Sequence, residues 1–105
     1  MIATQLTDAQ VAEYHANGFV IPDYRLNEGT LEAIRSTHSR FIAKYPQFSD
    51  YCPALLPFDE SFIKFACDEN ILNMVSQIIG DNVALWNSSF FAKPAKIGTR
   101  TPWHQ

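Results

Sequence analysis

The chain predicts an α+β fold, with helices first and strands last. Three observations carry this. Four runs before Gly80 each follow a residue able to cap a helix, namely Thr7, Asn27, Asp59 and Asp68. After the turn signal Gly80-Asp81-Asn82 the character changes, and Val83 to Phe91 (VALWNSSFF) is rich in aromatic and β-favouring residues. Pro94 to Thr99 then holds Pro94 and Gly98 and reads as a hairpin-like connection into a returning strand from Thr101 to Gln105. Residues 1–80 are thus expected to be mainly helical and residues 81–105 to supply strands, all within one domain.

Composition excludes several classes of function. With 105 residues there is room for one small domain. A hydrophobic content of 47% with 18% charge is that of a globular chain. The net charge of -3 leaves no basic footprint for nucleic acid and no cationic face for a membrane. No apolar run approaches the roughly 20 residues that span a bilayer. No basic-plus-apolar leader opens the sequence, so a cytoplasmic protein is expected. Cys52 and Cys67 match no zinc spacing, and without an export signal they are expected as free thiols.

The helices follow in order. In Leu6-Thr7-Asp8-Ala9-Gln10-Val11 a capping threonine precedes Gln10 at N3, and Leu6 is placed to staple onto Val11. This helix should end at Gly18, which takes a left-handed C′ position cheaply. Phe19-Val20-Ile21 is a short apolar strand closed by Pro22. Asn27 opens a second helix over about 28–44, where Leu31, Ile34, His38, Phe41, Ile42 and Tyr45 repeat at three and four. His38 lies inside that stripe and is expected as a satisfied, semi-buried histidine rather than a ligand. His15, near the end of the first helix, reads as a solvated or capping residue.

Pro46 to Phe58 carries three prolines and no period, the mark of a long ordered loop, often a functional one. Asp59 and Asp68 then begin helices over about 60–67 and 69–79. In the second, Ile71, Leu72, Val75, Ile78 and Ile79 form an apolar face expected to be core.

Side chains alternate along a strand. Trp86, Ser88 and Phe90 should therefore share one face, and Asn87, Ser89, Phe91 and Lys93 the other. The second face suits the lining of a polar cavity. On the returning strand His104 shares a face with Pro102, and a neutral imidazole there is a candidate ligand for Fe, Zn, Cu or Ni. Taken alone, a histidine beside Trp103 is more often a packed or surface residue.

An ordered set of motifs adds to this. Leu6-Thr7-Asp8 through Gly18-Phe19-Val20, Ile79-Gly80, Phe91-Ala92-Lys93-Pro94 and Thr101-Pro102-Trp103-His104-Gln105 resemble, in the same order, the phytanoyl-CoA dioxygenase family of non-haem iron oxygenases. The likeness spans nearly the whole chain. It implies the helical buttress and first strands of an incomplete double-stranded β-helix, ending inside an H-x-D motif. It also implies Fe(II), with 2-oxoglutarate and O2 as cosubstrates of a hydroxylation of a small organic substrate.

By the same resemblance His104 matches the first metal-binding histidine, Ser89 and Asn87 lie where relatives contact 2-oxoglutarate, and Lys93 is a third candidate for binding that cosubstrate. Lys93 and Gln105 match motif positions, and Trp103 is expected to pack against the sheet. Some relatives place a lysine in the loop before the third helix to meet the cosubstrate. This chain has no basic residue between Gln47 and Ile63. Related halogenases carry a small residue in place of the carboxylate that follows the histidine, so halogenation stays open beside hydroxylation. One histidine does not hold a catalytic iron, so these 105 residues are expected to be inactive alone. Their unpaired strands are expected to favour self-association. The competing readings are a small α+β binding module and, less well supported by its ligand spacing, a zinc protein.

Overall fold

The first helix follows from its cap. Thr7 accepts the Gln10 N–H, and the Gln10 side chain accepts the Thr7 N–H, so two donors at the helix mouth are satisfied reciprocally. In the computed structural model, which describes residues 4–105, α1 spans Asp8–Asn17 and ends at Gly18 with φ 81°. That left-handed conformation costs glycine least. Just before α1, the backbone N–H of Leu6 donates to the Gln77 side chain at 2.7 Å, and Gln77 donates back to the Leu6 carbonyl at 2.9 Å.

The strand expected at Phe19-Val20-Ile21 does not form. No neighbouring segment offers it a ladder, and Ile21 is 80% exposed. The helix α2 does form, over Glu28–Lys44, with the Asn27 side chain accepting from the Thr30 N–H. Pro46 ends it, and Pro46–Phe48 continues as one 3-10 turn. The loop to Phe58 is ordered, and it holds the two-residue strand β1, Tyr51–Cys52. Asp59 caps a 3-10 turn, Glu60–Phe62, that runs straight into α3, Ile63–Ala66. Asp68 accepts the N–H groups of Asn70 and Ile71 and opens α4, Glu69–Ile79.

The strand expected over Val83–Phe91 narrows to β2, Phe90–Phe91, and the returning strand at Thr101–Gln105 is absent from the described residues. A strand extends only as far as a partner ladder does. Here β1 is the partner, antiparallel, with Tyr51 opposite Phe91 and Cys52 opposite Phe90. The fold is therefore α+β, with a single two-stranded sheet among the described residues.

The core sits where α2, the 46–58 loop, α3 and β2 meet. Phe41, Cys52, Leu55 and Phe62 are its buried members. Their rings meet edge-on, Phe41 to Phe62 at 5.6 Å and Phe62 to Phe90 at 5.5 Å, the arrangement aromatic quadrupoles favour. The α4 stripe contributes no buried residue. It is not core, because what lies across from it, Leu6, the end of α1, Phe19-Val20 and Pro22, leaves it partly open. Together they frame an open apolar groove of about 450 Å3.

Candidate functional site

The segment that carries the candidate ligands is held by the loop after α2. Three bonds continue the β1–β2 pairing at its two ends. Asp50 O accepts the Ala92 N–H at 3.2 Å, Ser88 O accepts the Leu55 N–H at 2.8 Å, and the Asn87 side chain donates to Pro53 O at 2.8 Å. Residues 87–92 are thereby moored alongside 50–55. From Val83 to Trp86 the chain has no such support, and Trp86 is 98% exposed.

From Asn87 to Lys93 burial alternates as the expected faces do, with Ser88, Phe90 and Ala92 half-buried and Asn87, Ser89, Phe91 and Lys93 exposed; Trp86, expected on the Ser88 and Phe90 face, is exposed instead. Asn87, Ser88, Ser89 and Phe90 all line one groove of about 430 Å3 with Ile34 and Phe62. The Asn87 amide is occupied at both ends, since its oxygen accepts the Ser88 N–H at 2.8 Å while its nitrogen reaches Pro53. Ser89 is exposed in the same groove.

Lys93 turns towards its own hairpin. Its ammonium donates to the Thr99 carbonyl and to the Thr101 hydroxyl. From the other side Asp50 accepts the Thr99 N–H at 3.2 Å and the Thr99 hydroxyl. Gly98 lies between these groups, and its N–H closes the turn on Pro94 O at 3.0 Å. A Cβ at position 98 would stand 2.7 Å from the Lys93 Cβ and 3.0 Å from Pro94 O, so only glycine fits the closed turn.

Beyond this turn lie Trp103 and His104. Trp103 was expected against the sheet and is fully exposed, because the sheet stops at Phe91. His104 is exposed too, and its Nδ1 lies 2.9 Å from the Pro102 carbonyl. A carbonyl oxygen only accepts, so Nδ1 carries the proton of this bond, and in the tautomer that pairs with it the lone pair lies at Nε2. Metal-ligating histidines are oriented in this way, one nitrogen tied to a backbone carbonyl and the other free for the ion.

The other histidines stand apart. His15 is exposed and meets Tyr14 edge-on at 5.6 Å. His38 packs on Phe90 at 4.8 Å, and its Nε2 is buried with no hydrogen-bond partner. It is semi-buried as expected but not satisfied, since the surrounding side chains are apolar. Cys52, buried, and Cys67, exposed, are both free.

No group of three or more His, Cys, Asp or Glu side chains among the described residues could hold a metal ion. His104 fits as one ligand of such a site and does not make a site by itself. No helix among the described residues is long and apolar enough to cross a membrane. Sequence reasoning did not find Asp50 and Thr99, whose pairing across 49 residues leaves no local signal, nor Thr101, which Lys93 reaches. No protein family, no curated protein and no solved structure matches this chain.

Proposed function

We propose that these residues form the helical buttress and first core strands of an iron(II)- and 2-oxoglutarate-dependent oxygenase of the phytanoyl-CoA dioxygenase type, with His104 as its first metal ligand. The observation that carries the reading is the Pro102 carbonyl bond to Nδ1, which leaves Nε2 of an exposed imidazole free. Bound iron would supply the redox chemistry of oxygen. The remaining ligands, a carboxylate and a second histidine in such a facial triad, would come from outside the described residues. What this chain's residues do is narrower: they hold one imidazole in one tautomer, and they moor residues 87–92 beside the core so that the strand has a fixed place.

Asn87 supports that mooring through Pro53, and Ser89 is the freer of the two polar groups proposed to face the cosubstrate. The apolar α4 face and the exposed 83–86 run are surfaces that further strands of a β-helix would cover. Nitrogen-resolved NMR of the three histidine rings tests the ligand assignment. His104 is expected as the Nδ1–H tautomer, and Co(II) should broaden its Nε2 signal before it affects His15. A proton on Nε2, or equal broadening of His15 and His104, would remove the ground for the assignment.

A further inference from the structure

Asp50 and Lys93 stand on either side of the Pro94–Thr99 turn and close on one residue. Asp50 holds the N–H and hydroxyl of Thr99, and Lys93 holds the Thr99 carbonyl and the Thr101 hydroxyl. Thr99 is thus gripped at every polar atom, five residues before His104. We infer that Asp50, acting with Lys93 through Thr99, is a positioning residue that sets where the Trp103–His104 segment leaves the fold. This rests on the reading of His104 as a metal ligand and assigns that site a support the motif itself does not contain.

Three features favour positioning over ordinary surface bonding. The grip joins sequence-distant parts, because Asp50 sits one residue before β1 and its backbone carbonyl also holds Ala92. One residue thereby fixes both the outgoing strand and the returning turn. The turn is sterically closed, since Gly98 has no room for a Cβ beside Lys93. Finally, Asn87, Ser88 and Phe90 are already anchored to the core, so Lys93 starts from a fixed point and its reach to Thr101 carries that fixity forward. Beyond Thr101 the described contacts are few, and the Pro102 bond to His104 is local. Without the clasp, the imidazole would hang on a free tail, where a ligand geometry good to a fraction of an ångström is out of reach.

The test compares the 105-residue chain with Asp50→Ala and Gly98→Ala variants, the second opening the same turn by bulk rather than by lost charge. Backbone relaxation should give residues 99–104 order parameters near 0.85 in the parent and below about 0.6 in both variants. Asp50→Asn, which keeps one acceptor oxygen, should fall between. Retention of the ring-current shift from the His38–Phe90 pair shows that each variant is folded. Mn(II) then probes the ligand: in the parent it should broaden His104 and a fixed set of amides in the turn, and in Asp50→Ala the turn amides should lose that broadening. Unchanged order in folded Asp50→Ala and Gly98→Ala overturns the clasp. Order lost in the variants, with Mn(II) drawn no more to His104 than to His15 in the parent, overturns the ligand reading instead, and with it the positioning role.

Discussion

At the scale of single residues, carboxylates at helix starts do much of the local work. The Ser61 side chain, then the Ser61 N–H, and at longer range Lys44 and Arg40, hold the Asp59 carboxyl below its ordinary value. A lowered folded-state pKa means the group stabilises the fold above its unfolded pKa, near 4, and loses that contribution as acid takes the pH through the lower folded value. Asp59→Ala should therefore destabilise at neutral pH by about 1 kcal/mol, as for a lost cap. Thermal unfolding followed from pH 7 to pH 2 should show the gap between parent and variant hold down to about pH 4 and shrink below it. A gap that widens in acid would contradict the assignment. Asp59, Asp68, Asn27 and Thr7 were all legible as caps, because capping needs a short polar side chain at one position and nothing distant.

Between elements the signals become non-local, and legibility falls. The helices α1, α2 and α4 lie where their caps and glycine stops placed them. The strands do not, since β-propensity in Val83–Phe91 states what a strand would accept and not whether a partner exists. Here the partner is two residues long, so the length of the strand and the place of Trp86 departed from expectation. The tie between Leu6 and Gln77 is a second case: 71 residues separate its ends, and nothing in either neighbourhood announces it. Two hydrogen bonds at about 1 kcal/mol each give an expected loss of about 2 kcal/mol for Gln77→Ala, read by denaturant unfolding. Hydrogen exchange in that variant should rise at Leu6 and along α1 before it rises in α2. A loss spread evenly over the helices would show that the tie does not act as a hinge between them.

Over the whole molecule the chain is open. It exposes 8302 Å2, where a closed domain of 11.9 kDa exposes roughly 5,900 Å2. Its radius of gyration is 16.1 Å, against about 13 Å for a compact chain of this length. Large apolar side chains contribute to that surface, Ile21 and Ile79 in the helical part and Trp86, Ile97 and Trp103 along residues 83–105. Within the candidate site the motif singled out His104 for the role proposed for it, whereas the bonds between Asp50 and Thr99 arise only when folding brings the two together. The central claim, that His104 serves an iron- and 2-oxoglutarate-dependent oxygenase, is tested most directly on the protein translated from the reading frame through and past residue 105. Succinate release should require both iron and 2-oxoglutarate, and His104→Ala should reduce it at least a hundredfold, a loss of about 2.7 kcal/mol or more. Release that persists undiminished in the variant, or a folded product indifferent to both iron and 2-oxoglutarate, would contradict it.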